Sequence, residues 1–297
     1  MNYNNNIRKN MITDTTYKIA IAGFLHDIGK FVERARPDFV SNDFENRHSG
    51  LYLPYVKSQN RFTHRHALYT AAFIDHIEKW LPNVFNKSEW GLGDSFFNLA
   101  SGHHKPETPM QWIIAMGDRI SSGFERDKFE SYNREENTEI KIKDFKKTRL
   151  LTIFEQISIA DVWKEDKLES YNLRYSLKEL SPKNIFPEKS QDFISENDYQ
   201  NLFDNFLSSL KKLEHRNCLP LWFEHFESCF MIYASHIPAA TVGYTIPDIS
   251  LFDHSKTTAA LSTALYLYHY DKNTLENIEK IKDYSEKKLH SRLSNSF

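Results

Sequence analysis

Glycine and cysteine are both scarce in this 297-residue chain, with nine glycines and two cysteines. Neither GxGxxG nor GxxxxGK[ST] occurs, so glycine-rich phosphate loops are not expected. Cys218 and Cys229 are too few for a disulfide scaffold or a four-cysteine zinc site, and a reducing cytoplasm is the expected setting. No run approaches the ~20 apolar residues of a membrane span, and the polar start Met1 to Asn10 does not read as a signal peptide. Charge of one sign is lacking too: 38 Lys and Arg against 40 Asp and Glu leave −2, which excludes a heavily basic nucleic-acid binder and makes any such contact local.

What is present is enough apolar side chain for a real core, at 40% hydrophobic and 14% aromatic residues, in a length that suits two units. Apolar residues recur with helical spacing, and the chain reads as mainly α. Helices are expected over Tyr17 to Arg34, His64 to Trp80, Asp94 to His104, Pro109 to Phe124, Asn197 to Glu214, Leu219 to Ser235 and His254 to Tyr270. Arg126 to Lys147 is charged, with no sustained apolar face, and marks a boundary near residue 130. Residues 1–130 then form one unit and 131–297 a second. Thr148 to Ile159 and Val242 to Leu251 are short apolar runs that periodicity does not type.

Histidine and aspartate are concentrated where the first unit is apolar: His26-Asp27 in GFLHDIGKF, His64 and His66 in THRHALYTAAFI, His103-His104 in SGHHKPE, and Asp118 in MGDRISSGFER. Imidazole nitrogens and carboxylate oxygens together suit divalent Mn, Fe, Ni or Zn. Such an ion turns water into a nucleophile near neutral pH and stabilises charge on a phosphoryl group, which is phosphoester hydrolysis. Helices in a bundle can bring distant segments together on such an ion. Lys30, four residues after His26, shares its face if the helix is continuous and would hold a substrate phosphate. His66 is preferred to His64 because Thr70, Phe73 and Ile74 continue its face inward. At the irregular end before Lys105-Pro106, either or both of His103 and His104 can reach an ion. A lone histidine on an apolar helix is usually an ordinary core or surface residue, and His48, His64, His76 and every histidine after residue 200 are read so.

HDIGK resembles the metal-binding signature of HD-domain phosphohydrolases. HDIGK, HALYTAAFI, HHKP and DRISSGFER in this order resemble the nuclease domain of the large subunit of type III CRISPR effector complexes, the III-A branch most of all. KTRLLTIFEQI resembles the linker of that subunit, and IPDISLFDHSKTTAALSTALYLY the stretch leading into its first palm domain. The resemblance spans Tyr17 to about Tyr270.

It implies a helical HD bundle over 1–130, with 131–297 a mostly helical linker and the beginning of a palm. It also implies a single-strand-specific DNA nuclease for antiviral defence, dependent on Mn or Ni and switched on when the guide RNA pairs with a foreign transcript. Partners are then other type III effector subunits, CRISPR RNA, target RNA as activator and single-stranded DNA as substrate, with no membrane. His26 and Asp27 are implied as catalytic metal ligands, with His66, His103 or His104, and Asp118 completing the set for one or two ions. Asp27 would bridge two, and Lys30 and Arg119 would contact backbone phosphates. HD phosphohydrolases commonly carry a further ligating histidine upstream of the pair, and none precedes His26 here. The palm GGDD motif is missing, so cyclic-oligoadenylate synthesis is not expected of this chain alone. The alternatives are a stand-alone HD nucleotide phosphohydrolase and a non-catalytic structural subunit. Lys256, Thr257 and Thr258 are read as an ordinary first helical turn, and the aromatic run LWFEHFESCFMIY as core or interface.

Overall fold

The computed structural model describes residues 14–86, 94–133, 148–152, 173–189, 197–240 and 247–286. In chain order the first elements are α1 (Asp14–Leu25), α2 (Ile28–Ala35), α3 (Asn42–Tyr52), β1 (Tyr55–Val56), β2 (Arg61–Phe62), α4 (His66–Ile77), α5 (Phe96–Ser101) and α6 (Pro109–Asn133). They are followed by β3 (Leu173–Arg174), β4 (Glu188–Lys189), α7 (Asp198–Leu210), α8 (Leu219–Ala234), α9 (Leu251–Asp271) and α10 (Ile278–Glu286). The fold is mainly α, as its periodicity suggests; the named strands among the described residues form two antiparallel ribbons, β1 with β2 and β3 with β4.

The helix expected over Tyr17 to Arg34 is two helices, broken at His26-Asp27. Asp27 (φ −106°, ψ 7°) takes the N-cap position of α2, yet its carboxylate caps nothing in that helix. Thr70 of α4 holds the break: its Oγ accepts from Gly29 N at 3.1 Å and donates to the His26 carbonyl at 2.8 Å. Gly29 is required because a Cβ there would lie 1.9 Å from the His66 carbonyl oxygen. The break thus presents His26 and Asp27 beside the start of α4.

α1 is apolar on most sides, which suits a central helix. Its Phe24 makes edge-to-face contacts with Phe223, Phe226, Phe230 and Phe252 at centroid distances of 5.7, 6.0, 5.3 and 6.0 Å. Phe31 of α2 meets Phe203 and Phe206 of α7 in the same way, and Trp222 stacks on Phe226 at 5.1 Å. The LWFEHFESCFMIY run therefore does supply core through Trp222, Phe226 and Phe230.

One hydrophobic core runs from Ile19 to Ile281, with second-half helices α7, α8 and α9 packed on α1, α2 and α6. Buried Arg34 of α2 adds a polar tie, donating to the Pro238 carbonyl at 2.7 Å. The expected boundary near residue 130 does not divide two cores in the described structure, because the apolar faces of the early helices are covered by later ones. Helix α6 runs nine residues past its expected end into the charged segment, of which 134–147 lie outside the described residues. Of the two untyped runs, Leu151 forms a single bridge to Arg174 and Ser250 one to Pro238. Residues 153–159 and 242–246 lie outside the described residues.

α9 approaches unusually closely through small residues. A Cβ on Gly23 of α1 would lie 3.1 Å from Ala259 Cα, and one on Gly117 of α6 would lie 2.1 Å from Ser262 Oγ. Its N-cap is Ser250, whose side chain accepts from Asp253 N.

These contacts predict opposite signs for two glycine substitutions. Gly29→Ala is expected to destabilise by about 1–3 kcal/mol through overpacking against backbone. Gly50→Ala, in α3 with nothing within 4 Å of the added carbon, is expected to stabilise by about 0.5–1 kcal/mol. Urea unfolding followed by circular dichroism distinguishes them, and equal midpoints would contradict the packing.

Candidate metal centre

Five segments converge at the helix break. His26 and Asp27 come from the α1–α2 junction, His66 from the first residue of α4, His103 and His104 from the 3-10 turn after α5, Asp118 from the middle of α6, and His254 from the first turn of α9. The ligand-type atoms form two groups, Asp27 with His66, His103 and His104, and His26 with Asp27, Asp118 and His254, each with its atoms within 4.8 Å of one another.

Asp27 belongs to both groups and divides its oxygens between them. Oδ1 lies 3.1 Å from His66 Nε2 and 3.7 Å from His103 Nε2. Oδ2 lies 3.4 Å from His26 Nε2 and 3.3 Å from His254 Nε2, and receives Lys30 Nζ at 2.5 Å. Asp118 Oδ1 closes the second group at 3.5 Å from His26 Nε2 and 3.3 Å from His254 Nε2.

The outward nitrogens of these rings are held by the scaffold. His26 Nδ1 donates to Gly23 O at 2.7 Å and His103 Nδ1 to Ala100 O at 3.1 Å, while His254 Nδ1 lies 3.1 Å from Ser121 Oγ. A ring whose Nδ1 carries the proton turns an Nε2 lone pair inward, the arrangement by which scaffolds orient metal-binding histidines. His66 Nε2 and His104 Nε2 stand 2.7 Å apart, a separation at which two lone pairs repel unless a proton or a cation lies with them. Asp27 Oδ1 and His103 Nε2 are buried and make no hydrogen bond. Buried polar atoms are nearly always satisfied, so these orphans are where a cation fits the donor set.

The electrostatics point the same way. Burial on its own would raise the Asp27 carboxyl, but Lys30, His26 and His66 outweigh it and hold the group well below the usual carboxylate range. Asp118 is likewise held low, against its burial, by hydrogen bonds from His254 and His26. Burial opposes the charged form of His26, yet the two carboxylates push it up to about 9. His103 is lowered to about 3 by burial and then by the charge on His26, and burial lowers His104 and His66 as well. The cluster therefore keeps two anions and a set of neutral imidazoles in one dry place, where positive charge is the missing complement.

All six residues expected as ligands by sequence, His26, Asp27, His66, His103, His104 and Asp118, lie in this cluster, and both members of the His103-His104 pair reach it. His64 stays outside at the rim, exposed, with its ring 4.0 Å from that of His104. Lys30 is present through Asp27, three residues before it, rather than through a helical face shared with His26. Arg119 is not gathered in: it is exposed, with its guanidinium 5.0 Å over the Trp112 ring, because the next residue of a helix points about 100° away from Asp118.

His254, read as an ordinary histidine, belongs to the second group. Its signal was the i, i+4, i+8 series His254, Thr258, Ser262, whose small buried members mark the face of α9 that approaches other backbones most closely. His48 remains ordinary, stacked on Phe44 with Nδ1 donating to the Phe44 carbonyl.

Fold and site together define a class: a mainly α protein in which an HD pair at a helix break is the shared corner of two His/Asp groups. No protein-family model matches the chain. Over 288 residues it is 28% identical to the CRISPR system single-strand-specific deoxyribonuclease Cas10/Csm1 (subtype III-A) of Methanocaldococcus jannaschii, a match covering 94% of this chain. The chain is homologous to the N-terminal part of Cas10/Csm1 of type III-A CRISPR systems and spans 31% of that relative's length. Among solved structures, a Csm1-Csm4 cassette in complex with cA4 superposes with a TM-score of 0.47 at 18% identity, covering 85% of this chain and 28% of that one. Csm1 of T. onnurineus gives 0.40 at 19% identity, with the same coverage.

Addition of Mn is expected to raise the thermal midpoint of the metal-stripped protein, since an ion that binds only the folded state stabilises it by RT ln(1 + [L]/Kd). His254→Ala is expected to reduce the bound metal, read by elemental analysis, whereas His48→Ala leaves it unchanged. Equal metal content in the two variants would place His254 outside the centre.

Proposed function

We propose that the chain is the nuclease part of the large subunit of a type III CRISPR RNA-guided effector, cutting single-stranded DNA at a centre for one or two divalent ions. The observation that carries this reading is the division of Asp27, one oxygen toward each His/Asp group, with Oδ1 and His103 Nε2 buried without hydrogen bonds. In this reading His26, Asp118 and His254 hold one ion, His66, His103 and His104 the other, and Asp27 both. A bound Mn or Ni would supply an activated water and charge neutralisation at the phosphoryl group.

The protein's own groups then have distinct tasks. The Nδ1 bonds of His26 and His103 fix the inward tautomer, and Thr70 and Gly29 hold the break that aims Asp27. Lys30, partly exposed beside Asp27, places a positive charge where a backbone phosphate would lie at the mouth of the centre. Arg119, on Trp112, is left out of substrate contact. Guide CRISPR RNA, target RNA and the other effector subunits are the partners in this reading, with target pairing as activator. The Csm1-Csm4 title and the relative's name support that context. Among the described residues no helix is long and apolar enough to cross a membrane.

Incubation with end-labelled single-stranded DNA and Mn tests the reading. His26→Ala with Asp27→Ala is expected to cut about 100-fold more slowly or worse, and Lys30→Ala to cut more slowly while still binding metal. Cutting by the double variant at the parental rate would remove the assignment. Phosphate release from nucleotides without DNA cleavage would favour a stand-alone phosphohydrolase.

A further inference from the structure

Beside the mouth of the centre lies a surface that no step above uses. The ribbon β1–β2 leads directly into α4, and its cross-strand pair Tyr55 and Phe62 is left in solvent, 48% and 39% exposed, with ring centroids 5.2 Å apart. Leu51 just before it is 54% exposed. Cross-strand aromatic pairs usually stabilise a sheet by covering a core face, but this two-residue ribbon covers none, and solvent-facing aromatic clusters mark binding sites.

The charge around the pair is of one sign. Between Asn46 and Ile74 there is no Asp or Glu, while Arg47, Lys57, Arg61 and Arg65 fall there, in a chain whose net charge is −2. Lys57, Arg61 and Arg65 are all exposed. Arg61 Nε reaches the neutral Gln59, and Arg65 approaches Glu45 only at 3.5 Å, so little of this charge is neutralised nearby. The ribbon is also continuous with the centre. Two residues after Phe62 comes His64, at φ 58° with its ring against that of His104, and then the cluster residue His66.

We propose that this hairpin is the entry platform for single-stranded DNA, with bases stacking on Tyr55 and Phe62 and phosphates held by Lys57, Arg61 and Arg65 as the strand passes His64 toward the His/Asp centre. Exposed aromatic faces within a basic surface are how single strands are held without sequence preference, since every unpaired base offers a π-face. A duplex, with its bases already stacked, gains nothing from Tyr55 and Phe62. The platform also reconciles nucleic-acid binding with a nearly neutral chain: the basic charge is local. The inference rests on the nuclease reading for its purpose, but its test measures binding alone.

Fluorescence anisotropy with labelled oligo-dT and the whole chain, in buffer without added metal, provides that test. Tyr55→Ala with Phe62→Ala is expected to weaken binding about tenfold or more, and Tyr55→Phe with Phe62→Tyr to retain it. Lys57→Glu with Arg61→Glu is expected to weaken binding and to flatten the salt dependence by about two in log–log slope. The pair is exposed, so unfolding midpoints should stay at the parental value. Parental affinity in both the alanine and glutamate variants, no oligo-dT binding by the parent, or much tighter binding of an RNA strand would each overturn the platform. If the hairpin variants lose binding although the parent shows no cleavage with Mn, the platform stands and the nuclease reading falls. If the parent cuts and the hairpin variants bind and cut equally well, the reverse holds.

Discussion

Two carboxylates buried among apolar helices must be met by positive charge or directed donors, and the geometry around Asp27 and Asp118 follows from that requirement. Asp27 cannot turn back to cap α2, because its oxygens are engaged on both sides by imidazoles and by Lys30. The helix break, the clamp by Thr70 and the glycine against the His66 carbonyl are the local conditions that hold the carboxylate there. The same demand recruits Asp118 from α6 and His254 from α9, so the electrostatics of one residue organise contacts among helices far apart in sequence.

The helices were legible because their apolar spacing is strong and their caps are ordinary: α7, α8 and α9 begin and end within a few residues of where periodicity places them. The break at His26-Asp27 was not legible, since GFLHDIGKF is as good a helical pattern as any. Only the tertiary contact of Gly29 with α4, and the engagement of Asp27 by histidines from other elements, interrupt it. Lys30 consequently reached the site by a different route from the one its spacing suggested.

Among site residues, the six in the first 120 positions were legible because histidine and aspartate stand out on apolar helices. His254 was not. It sits 228 residues from His26, in the first turn of a helix that looks like simple packing material. Its role depends on Gly23 and Gly117 being small enough to admit α9, and no local pattern states which glycine will face which helix. No histidine precedes the HD pair, and His254 occupies its neighbourhood from the opposite end of the chain. Arg119 failed for the converse reason: adjacency to Asp118 in sequence places it on another face of α6.

The way α9 seats has a kinetic consequence. The groups around His26 are complete only when a helix from the far end of the described chain has slid between α1 and α6, a closure over a long loop that is entropically costly and therefore late in folding. An ion held between His26 and His254 would span that last-formed seam. Its departure would then be governed by how often α9 lifts from its two glycine-lined neighbours, so loss of metal and local opening of this helix would share one rate.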